Sequence, residues 1–194
     1  KLFDTVLDVG AGALKHTNIF LKNGKTVDIC DYGNSIYYEN KEELNGIRKK
    51  FIGAFNEIEI KEKYDVLWCC HILEHQLNVN NFLKKTNHLL KEGGYLCILV
   101  PPRKPNLVGG HVTLWNAGLV IYNLILAGYD CSEYCEICQY DYNIGIIIKK
   151  KKINMLPKNL SMDKGDLKLL SKYFPFEVYH GINGDIMKLK YEKE

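Results

Sequence analysis

No apolar run in this sequence is long enough to cross a bilayer. The longest, Ala117 to Ala127, is too short and carries Asn123. Charge of one sign is also scarce: a formal net charge of +3 is too small to demand nucleic acid or an anionic membrane. The cysteines, Cys30, Cys69, Cys70, Cys97, Cys131, Cys135 and Cys138, are odd in number, and several lie within apolar runs. Free thiols in a reducing cytoplasm are therefore expected. There is no internal repeat and no low-complexity segment. The chain opens without a signal peptide or a Met and almost directly on an apolar strand, so a segment is expected to precede Lys1. What is present is ordinary for one soluble globular domain: 194 residues, 46% hydrophobic and 25% charged.

The informative stretch is Asp4-Thr5-Val6-Leu7-Asp8-Val9-Gly10-Ala11-Gly12. A buried strand breaks into a Gly-Ala-Gly turn, and His16 to Lys22 has the spacing of a short helix. Two glycines let a backbone approach a ligand closely, and the helix start offers free N–H groups to an anion. A third glycine is missing, because Ala13-Leu14-Lys15 follows. The dinucleotide fingerprint is therefore incomplete, which disfavours a nucleotide-sugar oxidoreductase. An acid just before the first glycine suits a cationic amine. A ligand with an ammonium, a carboxylate and a ribose fits, and S-adenosylmethionine has all three.

A second strand, Lys25 to Cys30, ends at Asp31 with Tyr32-Gly33-Asn34 as its turn. Asp31 lies roughly 20 residues past the glycines, where an acid binds ribose hydroxyls in nucleotide folds. Asp28, inside the strand, is the weaker candidate. Residues 37–50 read as polar loop with some helix, 51–55 as a third strand and 64–70 as a fourth, apolar almost throughout and so buried on both faces. A helix over 78–91 ends at Glu92-Gly93-Gly94, followed by a strand at 95–100. Then come a Pro- and Gly-rich loop at 103–110, a helix at 115–127 and a hairpin of 135–140 with 145–149. The remainder is mixed, with a helix over 164–173. This alternation predicts an α/β, doubly wound, Rossmann-like, mostly parallel seven-stranded sheet, with an antiparallel C-terminal hairpin strand and helices on both faces. Ligands in such sheets bind beyond the strand carboxyl ends, where Gly10, Asp31, Ala54 and His71 collect.

Taken together, Val6 to Gly12, Asp31, Tyr64-Asp65-Val66-Leu67-Trp68, Leu73-Glu74-His75 and Leu89 to Leu96 resemble the class I S-adenosylmethionine-dependent methyltransferases. The resemblance implies a methyltransferase domain over 1–150 with 151–194 as an extension packed on it. It implies that Asp8, Gly10 and Gly12 hold the methionine end, that Asp31 binds the ribose, and that the turn after the third strand lies against the adenine. The expected cofactor set is Asp8, Gly10, Ala11, Gly12, Asp31, Tyr32, Ala54, Phe55, Cys70 and His71. Two departures stand out: the family often has glycine where Leu14 stands and an acid where Ala54 stands. A narrower similarity, in His111 to Gly118 and the hairpin, is to bacterial methyltransferase-like proteins, some associated with surface-polysaccharide genes.

Methyl transfer to a hydroxyl needs in-line alignment and removal of a proton, for which histidine is suited at neutral pH. His111, His71 and His75 are the expected catalytic residues, His111 first as proton acceptor and His71 second. His71, Glu74 and His75 have metal-ligand spacing, and ubiquinone-pathway O-methyltransferases have a related Glu-x-x-Glu-His run that binds a divalent ion. Here His71 replaces the first Glu, and no metal is expected. Lys149 to Lys152 reads as a solvated strand end. The sequence thus points to a cytoplasmic enzyme methylating a small-molecule acceptor, most readily an oxygen of a sugar or glycolipid precursor. Nucleic acid is not an expected partner, and the oligomeric state is left open. The competing readings are a nucleic-acid or protein methyltransferase and a non-catalytic cofactor-binding or assembly protein.

Overall fold

The computed structural model describes residues 2–41 and 43–193. Lys1 and Glu194, at the ends of the two expected segments, and Glu42, within the stretch 37–50, lie outside the described residues. In chain order the elements are β1 (Thr5–Val9), α1 (Lys15–Lys22), β2 (Thr26–Asp31), α2 (Ile36–Glu39), β3 (Ile47–Ile52), β4 (Tyr64–Cys70), a 3-10 turn at Leu73–His75, α3 (Val79–Leu89) and β5 (Leu90–Val100). They continue with α4 (Ala117–Leu126), β6 (Tyr134–Tyr140), β7 (Asn143–Lys149), α5 (Asp166–Leu170), a second 3-10 turn at Ser171–Tyr173 and β8 (Lys188–Glu192). The strands form one eight-stranded sheet in the order β3-β2-β1-β4-β5-β7-β6-β8. From β3 to β5 every pairing is parallel, and from β5 onward every pairing is antiparallel.

Alternation along the strands divides the apolar residues between two faces. Leu7, Val9, Cys30, Leu67 and Cys69 face the larger core, which also takes Phe82 and Leu83 of α3, Val120 and Leu124 of α4 and Leu170 of α5. Their neighbours Val27 and Ile29 face a smaller cluster with Leu14 and Tyr38, while Val6, Val66 and Cys97 form a third with Phe20 of α1 against it. Helices therefore cover both faces. The amino edge of the sheet is tied by Asp65, which accepts from the N–H groups of Asp4 and Thr5 and from Lys91 Nζ at 2.8 Å. Burial raises the Asp65 carboxyl, but Lys91 and these N–H donors outweigh it and hold the group well below the usual range.

The main departures from the sequence reading are three. The third strand is Ile47–Ile52, not 51–55, because its Arg48-Lys49-Lys50 segment is charged and outlasts any apolar signal. Arg48 is held there by Asp28, with Nε to Oδ1 at 2.9 Å and Nη2 to Oδ2 at 2.6 Å, and Tyr64 adds its hydroxyl to the same carboxylate. The helix α3 stops at Leu89, and β5 begins at Leu90 through a register shift opposite Tyr64 and Val66, so Glu92-Gly93-Gly94 lies in strand. The eighth strand is β8, whose Lys188, Lys190 and Glu192 are exposed and whose Leu189 and Tyr191 turn inward on β6. Such a lysine-rich edge discourages further pairing. The expected solvated lysine run also holds one buried member. Lys150 donates to Leu90 O at 2.8 Å and pairs with Glu92 at 3.0 Å. All seven cysteines are free, and among the described residues no helix is long and apolar enough to cross a membrane.

Candidate active site

The sheet order reverses direction at β1, with β2 on one side and β4 on the other, and the candidate site lies beyond the carboxyl ends of these three strands. Register brings Val9 beside both Cys30 and Cys69, so the residues that follow each of them are neighbours. The glycine turn leaves β1 with Gly10 at φ 76° and Gly12 at φ 48°. A side chain at Gly10 would also come within 3.0 Å of Ile72. Leu14 stands at φ 63° as the cap of α1. It adopts the left-handed conformation that glycine supplies most cheaply, and holds it by burying its side chain with Ala11, Ile29 and Tyr38. The departure from the family pattern at Leu14 thus leaves the turn intact.

Asp31 locks the turn to the end of β2. Its Oδ2 accepts from Gly12 N and its Oδ1 from Gly33 N, each at 2.9 Å. Asp8, by contrast, is 1% exposed and receives the Thr17 hydroxyl at 2.6 Å, tying β1 to α1. Burial raises its carboxyl to about 6 against the pull of Thr17. Tyr32 is exposed beside Asp31. The turn after β3 is set by Ala54 O, which accepts from Glu57 N and Ile58 N, and Phe55 is buried against Phe82 with ring centres 5.0 Å apart. Lys85 of α3 bonds the carbonyls of Phe55 and Ile58. Nothing in the sequence flagged Lys85, because it reads as one more solvated lysine on a helix.

Beyond β4, Cys70 is half-buried, its thiol pushed up to about 12 chiefly by burial. His71 holds φ 52°, and both its ring nitrogens are engaged: Nδ1 lies 3.1 Å from Glu74 Oε1, and Nε2 lies 2.8 Å from Asn143 Oδ1. The Glu74 contact, seconded by Asn143, raises His71 above the usual imidazole range despite partial burial. Asn143, at the start of β7, is a partner that local sequence could not reveal. His75 and His111 meet edge to face with ring centres 5.0 Å apart. His75 Nδ1 donates to Gly110 O at 2.8 Å. The loop carrying His111 is pinned by Val112 N and Thr113 N, which donate to Glu74 O at 2.9 and 3.2 Å. His111 also lines a cavity of about 360 Å³ beyond β5, with Pro101, Lys104, Thr113 and Tyr142 among its other walls. The expected residues therefore form two neighbouring groups, Gly10 to Asp31 and His71 to His111.

Residues 7–96, which carry the glycine turn, Asp31 and the His71 strand end, match the sequence profile of a methyltransferase domain. Over these residues the chain carries the sequence pattern of a methyltransferase domain on the fold of the class I S-adenosylmethionine-dependent enzymes. Solved structures of similar fold include a complex between the Haloferax volcanii Trm112 methyltransferase activator and a methyltransferase (TM-score 0.62, 15% identity, covering 76% of this chain and 82% of that one). Another is Burkholderia thailandensis 1,6-didemethyltoxoflavin-N1-methyltransferase with 1,6-didemethyltoxoflavin and S-adenosylhomocysteine (0.62, 18%, 76% and 71%). A third is human N-acetylserotonin methyltransferase with its methyl donor (0.61, 17%, 78% and 48%). At these identities the likeness is one of fold. A comparison with curated proteins returned no match.

A methyltransferase domain of this kind implies S-adenosylmethionine, which supplies a methyl group on a sulfonium sulfur. The residues present fit that group. A carboxylate offers about four acceptor positions; Asp31 uses two on Gly12 and Gly33, which leaves capacity for a ribose diol. The start of α1 carries no side-chain cap, so its N–H groups can take a carboxylate. The nearest atom to a Cβ placed on Gly12 is Tyr37 Cβ at 3.5 Å.

Proposed function

We propose that this methyltransferase methylates an oxygen of a small molecule, a sugar or glycolipid precursor, in the cytoplasm. The observation that carries the reading is the cavity beyond β5. Its volume, about 360 Å³, suits a small molecule, and it sets His111 beside Lys104 and Tyr142, a proton acceptor next to a cation and an aromatic face. The seven unpaired cysteines suit a reducing compartment.

On this reading Asp31 orients the cofactor through the ribose, and Gly10, Ala11 and Gly12 leave room for its methionine end, with Asp8 anchoring the strand beneath it. Tyr32, Ala54, Phe55 and Cys70 border the adenosine. His111 takes the acceptor's proton as the methyl group passes in line to oxygen, and His75 holds the His111 ring. His71, with its ring nitrogens engaged by Glu74 and Asn143, positions Glu74 rather than serving as the base.

The test is calorimetric titration of S-adenosylmethionine and its demethylated product into the full chain and Asp31→Ala, followed by labelled methyl transfer to sugars, phenols, RNA and protein. Affinity at least about tenfold weaker in Asp31→Ala, with label on a sugar hydroxyl that is lost in His111→Ala, supports the reading. Label appearing on RNA or protein alone overturns the acceptor class. Cofactor binding with no turnover on any acceptor favours the non-catalytic alternative.

A further inference from the structure

We propose that Glu74, His75 and His111 bind one divalent transition-metal ion of the zinc class beside the cavity that His111 lines. One ligand atom from each of the three lies within 4.8 Å of the others. Donors on a tetrahedral ion with bonds of about 2.0–2.1 Å are roughly 3.4 Å apart, so small side-chain rotations close the set.

Two independent features call for a cation there. Glu74 is 0% exposed, and its Oε2 has no hydrogen-bond partner among the described residues. A buried carboxylate oxygen without a donor is costly, and a metal ion is one of the few groups that satisfies it. The second feature is the orientation of His75. Its Nδ1–H donates to Gly110 O, which aims Nε2 at Glu74, 4.0 Å from Oε1. That separation is too long for a hydrogen bond and leaves space between the two groups for an ion.

The surroundings resemble the outer shell of a metal site. Ligating histidines characteristically donate their second nitrogen to a backbone carbonyl, and ligating carboxylates are themselves hydrogen-bonded. Here Gly110 O orients His75, and His71 Nδ1 orients Glu74 through Oε1. Gly110 is also sterically required, since a Cβ there would stand 2.9 Å from His75 Nδ1. With Glu74 buried and both histidines at least partly exposed, the open coordination position lies on the solvent side, as in sites that bind substrate. The expectation of no metal came from His71 standing where the related run has its first Glu. That comparison counted His71, whose ring is engaged by Glu74 and Asn143, and missed His111, which arrives on a distant loop. A bound ion would acidify a hydroxyl coordinated to it, and so would aid the same deprotonation that the proposed function assigns to His111 in the ion-free protein.

The site is read by ion binding, not by turnover, and stands apart from the choice of acceptor. The full chain, stripped with chelator, is titrated with Co²⁺ while visible d–d absorption is followed, and with Zn²⁺ by calorimetry. One saturable equivalent is expected, weakened at least about tenfold in His111→Ala and in Glu74→Gln and unchanged in Cys138→Ala. His111→Ala, on a surface loop, is the variant that keeps its fold, as circular dichroism verifies. No saturable band, equal binding in His111→Ala, or an intense thiolate-to-cobalt band overturns the site. If the same preparation binds S-adenosylmethionine but no ion, the metal site falls and the methyltransferase stands.

Discussion

Leu14 and Asp8 each hold a state that their residue type disfavours, and each can be tested by a single substitution. Leu14 combines a left-handed backbone with a buried side chain. Leu14→Ala loses the packing and keeps the strain, for about 2–5 kcal/mol. Leu14→Gly loses the same packing but relieves roughly 1 kcal/mol of strain. In urea denaturation the glycine variant is therefore expected to be at least as stable as the alanine variant, the reverse of the usual order in a helical segment. Asp8 keeps its proton up to about 6 in the native state, against 3.8 as its ordinary value. A raised folded pKa gives stability that is full below the unfolded value and lost as pH rises through the folded one. Between pH 4 and 6 the protein should thus lose up to about 3 kcal/mol from this group. Asp8→Asn should flatten that slope and be the more stable protein at pH 8, as denaturation at a series of pH values would check. The glycine turn and Asp31 were legible because their spacing is local. The Glu74–His75–His111 grouping was not, because its parts meet only through the loop that Val112 and Thr113 fasten to Glu74 O.

At the scale of elements, strands rich in apolar residues declared themselves and charged ones did not. The strand β4 runs Tyr64–Cys70, as its unbroken apolar character implied. In β3 the charged segment is stabilised by a partner on β2, the fully buried Asp28, rather than by its own composition. Removing one member of such a pair leaves an uncompensated buried charge. Arg48→Ala is expected to destabilise the protein by about 2–3 kcal/mol, the low end for a buried pair because the arginine is partly exposed. Arg48→Ala combined with Asp28→Leu should recover part of that loss in a double-mutant cycle. A simple additive loss would show that the pair contributes little.

Across the whole molecule, the C-terminal segment is joined to the rest at several places, among them the Arg103–Asp185 ion pair at 2.7 Å. The strand β8 adds to β6, and Gly184 crosses the start of α4, where Gly118 N donates to Gly184 O at 2.9 Å and Asn116 caps the helix through Leu119 N at 2.8 Å. A Cβ on Gly184 would stand 2.6 Å from Asn116 Oδ1. Gly184→Ala must displace that cap and is expected to cost about 1–3 kcal/mol. Faster proteolysis of the 175–193 segment than of the parent chain would mark the loosened crossing, and an unchanged cleavage rate would argue against it. Sequence alone determined the doubly wound sheet, the glycine turn and the acid at the end of β2, because these rest on hydrophobic period and on spacings of a few residues. Only the tertiary structure decided that His71 turns to Asn143, that His75 and His111 meet, and that Glu74 is buried among them. Each of those contacts joins segments far apart in the chain, and the free energy that fixes them comes from packing of the whole sheet rather than from any local pattern.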